Sequence, residues 1–132
     1  MGGVVSIFTR KMLEGKPITI YGDGTQQRSF TWVKDVVKAN ILAATTPAAK
    51  GEEYNCASGI TITIKELAEM VADILGVKNL EIHYSDWMVG DIKVFNIDNT
   101  KIKKDLGIEF LTDFRKGLEM TVEWARDFFT KK

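Results

Sequence analysis

Tyr21 and Arg28 flank the turn sequence Gly22-Asp23-Gly24. A phenol ring offers a flat packing face, and arginine offers a planar fork of donors that matches phosphate oxygens. Set on either side of a glycine turn, the two make a grip for an aromatic ring joined to phosphate. Other reaction centres are poorly supplied. Cys56 is the one cysteine in 132 residues, so no internal disulfide forms, and its small and apolar neighbours mark a buried thiol in a reducing compartment rather than a nucleophile. His83 is the sole histidine and sits in an alternating strand pattern, where a structural role on the strand face is expected; Ser85 beside it is not read as a nucleophile. One Cys and one His do not make a zinc set, and Asp86, Asp91 and Asp98 lack the spacing of a calcium loop.

The elements that position the grip follow from periodicity. Val4, Val5, Phe8, Met12 and Leu13 recur at helical spacing up to Gly15 and Pro17. Ile18–Tyr21 reads as a short strand, the glycines supply a turn, and Phe30–Val33 reads as a second extended piece. Val33, Val36, Val37, Ile41 and Ala44 mark a helix that stops before Pro47, and Glu53–Cys56 a further short strand. Thr63 with Glu66 forms a capping box for a helix whose apolar face is Ile64, Leu67, Ala68, Val71, Ile74 and Leu75, closed by Gly76. Leu80–Tyr84 and Ile92–Ile97 read as strands, 99–106 as a short helix ending at Gly107, and Thr112 as the cap of a last helix carrying Phe114, Leu118, Val122, Ala125 and Phe129. The expected fold is α/β: a small mixed lobe of short strands and about five helices, one domain over residues 1–132, without a Rossmann domain.

Composition narrows the partners. Eighteen basic residues balance eighteen acidic ones, and they are scattered, so nucleic acid is not an expected partner. No apolar run approaches the roughly 20 residues that span a bilayer, and no signal-like start is present; the expected location is cytoplasmic, away from membranes.

In their order along the chain, these motifs resemble the C-terminal lobe of extended short-chain dehydrogenase/reductases, the NAD-dependent epimerase/dehydratase family of UDP-glucose 4-epimerase. Gly3-Val-Val-Ser-Ile-Phe8 resembles the helix start after the family's substrate loop, and Ile18-Thr-Ile-Tyr21-Gly22-Asp-Gly24 the strand beside the nucleotide base. Gln27-Arg28-Ser-Phe30 is similar to the segment whose arginine reaches the diphosphate. Tyr54-Asn55, Lys101–Gly107 and Phe114–Trp124 are similar to framework motifs. Gly90-Asp91 falls where the family has R-P-G-D, but Met88 stands at the arginine position, and Lys93 is the nearest replacement charge.

The resemblance implies a substrate-binding set of Val5, Tyr21, Arg28 and Asp91: base contacts from Val5 and Tyr21, diphosphate contact from Arg28, ribose contact from Asp91. It implies a nucleotide sugar, UDP- or dTDP-linked, as the ligand. The plainer alternatives are an ion pair of Arg28 with Asp23 or Asp35, packing for Tyr21 and a turn role for Asp91. The family's reaction uses NAD, yet this chain has neither the glycine fingerprint nor a Tyr-x-x-x-Lys pair, so no cofactor and no catalytic residue is assigned to it. Expected, then, is the nucleotide-sugar-binding portion of such an enzyme, inactive alone, as an excised piece or a truncated gene product. The alternatives are an interaction module that keeps the fold, or a subunit that completes a separate Rossmann domain. An apolar surface left uncovered by that domain would promote self-association.

Overall fold

The computed structural model describes residues 3–111 and 113–131. Helix α1 (Val4–Leu13) buries Phe8, Thr9 and Met12, and Gly15, at φ 65°, turns the chain after it. Strand β1 (Ile18–Tyr21) follows with Ile18 and Ile20 buried and Thr19 and Tyr21 exposed, the alternation a half-buried strand requires. It pairs in parallel with β4 (Ile82–Ser85), Ile18 opposite Ile82 and Tyr21 opposite Ser85. Parallel pairing demands a long crossover. Here the crossover contains β2 (Gln27–Ser29), α2 (Val33–Thr45), β3 (Thr61–Thr63) and α3 (Ile64–Leu75). Strands β2 and β3 form their own antiparallel pair, Arg28 opposite Ile62.

The capping box of α3 is formed as the sequence implies. The Thr63 hydroxyl accepts from the Glu66 amide at 3.1 Å, the Glu66 carboxylate accepts from the Thr63 amide at 2.9 Å, and Gly76 closes the helix at φ 72°. Leu67, Ala68 and Val71 of α3 then meet Phe8 and Met12 of α1, Ile18 and Ile20 of β1, and Leu118 and Val122 of helix α5 (Phe114–Thr130) in the main core. Thr63→Ala is expected to lower stability by about 0.5–2 kcal/mol, with Thr63→Ser near wild type, as read by urea unfolding. Hydrogen bonds from Thr63 hold the Glu66 carboxyl below its ordinary value. Its contribution is therefore present above the usual glutamate range and is lost as pH falls through the lowered value.

A second core lies under α2, where Ala39 meets Ala49, Ile108, Phe110 and the residues Ile102 and Leu106 of helix α4 (Thr100–Leu106). The lobe is thus α/β with five α-helices among the described residues and two two-stranded sheets.

Three sequence expectations are corrected. The extended piece after the glycine turn is Gln27–Ser29 rather than Phe30–Val33. Phe30 adds one amide bond to Ile60 and packs its ring on Phe114 at 5.3 Å, while the Trp32 carbonyl already receives the first amides of α2. The aromatic and β-branched residues there fill the core instead of lengthening a ladder. Glu53–Cys56 forms no strand among the described residues, because side chains of α4 and its cap hold the segment. Lys101 donates to Glu52 (2.7 Å) and to the Glu53 carbonyl (3.0 Å), and Asn99 to the Ala57 carbonyl (3.0 Å). Tyr54 donates to Asp105 at 3.0 Å. Ile92–Ile97 likewise forms no strand; one backbone bond, from the Gln27 amide to the Lys93 carbonyl at 2.7 Å, and one from the Arg28 side chain to the Ile92 carbonyl tie it to β2. Thr112 lies outside the described residues, and the cap of α5 is Asp113, which accepts from the Lys116 amide at 3.0 Å.

Candidate functional site

Strand β1 delivers Tyr21 to its C-terminal end, and the chain then turns back through Gly22 and Gly24, both at positive φ (85° and 84°). Asp23 organises that turn by accepting from the Thr25 amide (2.9 Å) and hydroxyl (2.6 Å), bonds that hold its carboxyl below the ordinary value. Gln26 is buried and donates from Nε2 to the Tyr21 carbonyl at 2.6 Å, which locks the start of β2 against the end of β1. Two residues on, at the spacing that returns a strand side chain to the same face, stands Arg28.

Arg28 is the best-anchored polar group of the site. Its Nη2 donates to Asp91 in an ion pair, and its Nη1 donates to the Ile92 carbonyl at 2.6 Å and to the Gln27 carbonyl at 2.7 Å. The pair joins residues far apart in sequence, so Asp91, rather than Asp23 or Asp35, is the arginine's acid. Asp35 is buried elsewhere and accepts from the Leu111 amide at 2.8 Å. Of the five guanidinium N–H groups, three are used, which leaves Nε–H and one Nη2–H without a partner among the described residues.

Tyr21, Arg28 and Asp91 line one open cleft of about 520 Å³. Its wall from α1 is Val4, Ile7, Phe8 and Lys11; Gln26, Ile64 and Met88 complete it with Thr19 and Ile20. The volume lies in the range of small-molecule sites. Val5 is not among these lining residues. It lies on a separate apolar cleft of about 230 Å³ with Phe30, Trp32, Val33, Leu111 and Phe114, because one residue along a helix turns the side chain by about 100°, and the face that meets β1 carries Val4 instead. Lys93, the sequence candidate for a replacement charge, holds its ammonium 4.8 Å from the centre of the Trp87 ring and does not line the cleft. The sequence signal that reveals Lys11 is its place in Val4, Ile7, Phe8 and Lys11, one face of one helix.

Remaining candidates are accounted for locally. His83 pairs with Glu81 at 2.7 Å on the surface. Burial and the nearby Asp35 push the Cys56 thiol up, away from a thiolate. Trp32 lines the smaller cleft, and Trp124 is 63% exposed and stacked on Phe128 at 5.5 Å, outside the core. Trp87 covers the glycine turn: a β-carbon on Gly22 would sit 2.6 Å from its ring, and one on Gly24 3.0 Å from Lys65 Cβ. A dinucleotide needs glycines that leave room for pyrophosphate at a helix start. These two glycines give their space to Trp87 and Lys65, and strands flank them on both sides, so this turn does not fit NAD.

Known proteins share this fold. A sequence model of the NAD dependent epimerase/dehydratase family matches residues 1–57. The UDP-glucose 4-epimerase of Mycolicibacterium smegmatis is 32% identical over 125 residues, covering 95% of this chain and 39% of its own length. The crystal structure of UDP-glucose 4-epimerase from Thermotoga maritima with UDP-glucose superposes with a TM-score of 0.86 at 36% identity, over 96% of this chain and 40% of that one. The chain is similar to a part of the enzymes of the NAD-dependent epimerase/dehydratase family. It spans about two fifths of the length of the curated relatives it matches. A third member, the UDP-glucuronic acid 4-epimerase of Bacillus cereus, solved in complex with UDP-glucuronic acid and NAD, agrees with a TM-score of 0.88 at 27% identity, over 95% of this chain and 40% of that one. What this chain shares with them is therefore a lobe.

Proposed function

We propose that this chain is the C-terminal, nucleotide-sugar-binding portion of an NAD-dependent sugar-nucleotide epimerase or dehydratase, and that it holds a UDP- or dTDP-linked sugar without carrying out the redox step itself. The observation that carries the reading is the convergence of Tyr21, Arg28 and Asp91 on one cleft. Tyr21 packs a pyrimidine ring, the two free donors of Arg28 take diphosphate oxygens, and Asp91 accepts from a ribose hydroxyl while its other oxygen keeps the arginine in place. Val5 supports the base through the start of α1 rather than through its side chain. NAD supplies hydride chemistry when bound, and the residues for it belong to another part of the enzyme. Titration of the isotope-labelled chain, followed by NMR, tests this. UDP-glucose is expected to shift Tyr21, Arg28 and Asp91 saturably and NAD to shift none; NAD binding or sugar conversion by the chain alone overturns the reading.

One feature favours the added role of completing a cofactor domain. Helix α2 exposes Val33 (67%), Val37 and Ile41 (59%) along one side, next to the smaller apolar cleft. Such a stripe on a helix is normally buried against a neighbour. A Rossmann domain docked there covers it; without one, the same face drives self-association. Co-expression with the cofactor domain of a full-length relative is expected to yield a complex that Val37→Lys and Ile41→Lys dissociate. A complex indifferent to both substitutions places the contact elsewhere.

A further inference from the structure

We infer that Lys11 supplies the second positive contact to the ligand's diphosphate, taking over from α1 the charge that the chain lacks at Met88. The inference rests on the nucleotide reading of the cleft. Three charged residues line that cleft, Lys11, Arg28 and Asp91. Arg28 and Asp91 neutralise each other in their ion pair, so the net positive charge that faces a ligand is that of Lys11. An anionic diphosphate entering the cleft meets two free guanidinium donors and this ammonium.

Lys11 is available for the task. It is half-buried, and its ammonium makes no hydrogen bond or ion pair among the described residues. The acid near it in sequence is Glu14, whose carboxyl is held below its ordinary value mainly by Lys16, its salt-bridge partner at 2.8 Å, with only a smaller contribution from Lys11. The residue that sequence offers as a substitute is spent: Lys93 lies over Trp87. Met88, which lines the same cleft, has no charge to give. Lysine serves here as a point charge on a flexible stem, which reaches a phosphate from a helix without the geometric demands of a guanidinium fork.

The experiment compares UDP with uridine, which lacks the phosphates, by NMR titration of the wild-type chain and of Lys11→Met, Lys11→Arg and Arg28→Ala. Lys11→Met is expected to weaken UDP roughly tenfold, as loss of a charge-assisted contact does, and to leave uridine unchanged. Lys11→Arg, which keeps the charge, is expected to stay within about threefold of wild type for UDP. If Arg28→Ala weakens UDP while Lys11→Met does not, the nucleotide reading stands and the role of Lys11 is overturned. Equal losses for UDP and uridine also overturn it, because they put Lys11 on the base or the fold rather than on phosphate. Failure of the wild-type chain to bind UDP at all removes the nucleotide reading, and this inference with it.

Discussion

Arg28→Ala is expected to weaken UDP binding by roughly tenfold to a hundredfold and, in the ligand-free chain, to loosen the segment around Asp91. The first effect follows from the two N–H groups left free for phosphate, the second from the three that are used. The guanidinium holds Asp91 and the carbonyls of Ile92 and Gln27, so it fastens the loop that follows β4 to the edge of β2. Removing it strands the partly buried Asp91 carboxylate beside two carbonyls that have lost their donor, and hydrogen bonds to charged groups are worth about 1.5–3 kcal/mol each. Amide exchange at 88–93 is the local readout, and titration with UDP the functional one. Arg28→Lys separates the two contributions: a lysine keeps the charge for phosphate but has no planar fork to hold Asp91 and two carbonyls at once. It is expected to retain more UDP affinity than alanine while leaving the loop nearly as free. Wild-type UDP affinity in Arg28→Ala would remove the arginine from the ligand site and reduce it to a structural clasp.

That clasp also marks how far the sequence is legible. Local signals read correctly where a few neighbouring residues decide the outcome. Thr63 and Glu66 need only each other to cap α3, and Gly22 and Gly24 need only their missing side chains to turn. The ordered motifs from α1 to α5 likewise carry the family likeness, since they encode which faces are buried. Strands fared worse, because a ladder depends on a partner that periodicity does not name. Glu53–Cys56 has strand-like residues, but Lys101 takes the Glu53 carbonyl and Asn99 the Ala57 carbonyl just beyond the segment. Phe30–Val33 has the aromatic content of a strand, but Trp32 caps a helix.

The site shows the same division. Tyr21 and Arg28 are legible as a pair because one turn joins them. The acid that fixes Arg28 is not, since Asp91 arrives from a distant loop, and composition offered Asp23 and Asp35 as nearer choices. Val5 and Val4 are equivalent in a helical pattern until the helix is docked, and docking puts Val4 in the cleft. Charge replacement is a question of space rather than of sequence distance: Lys93 is close to Met88 along the chain but lies over Trp87, whereas Lys11 is far from Met88 along the chain but lines the same cleft.

Gly22→Val is the substitution expected to cost most in the fold near the site, about 2–5 kcal/mol. Two costs add. At φ 85° a β-branched residue sits in the left-handed region, a penalty of roughly 1–2 kcal/mol. Its β-carbon would also lie 2.6 Å from the Trp87 ring, and forcing extra carbon into a filled contact costs about 1–3 kcal/mol more. The Gly22 amide donates to the Ser85 carbonyl at 2.8 Å as the last rung between β1 and β4, so relief by backbone movement opens the end of the parallel pair. Gly51→Val is the control, since Gly51 has a similar φ of 74° with nothing within 4 Å of the added carbon. It reports the backbone penalty alone, and the difference between the two variants reports the Trp87 contact. Urea unfolding is expected to rank Gly22→Val well below Gly51→Val, and the tryptophan emission of the folded Gly22 variant to move to the red as Trp87 is displaced toward water. Because Trp87 leads directly into Met88 and Asp91, that displacement is also expected to weaken UDP binding, which Gly51→Val leaves intact. Equal stability of the two variants would mean that Trp87 gives way freely, and that the glycine turn is held open by its backbone conformation rather than by the ring packed against it.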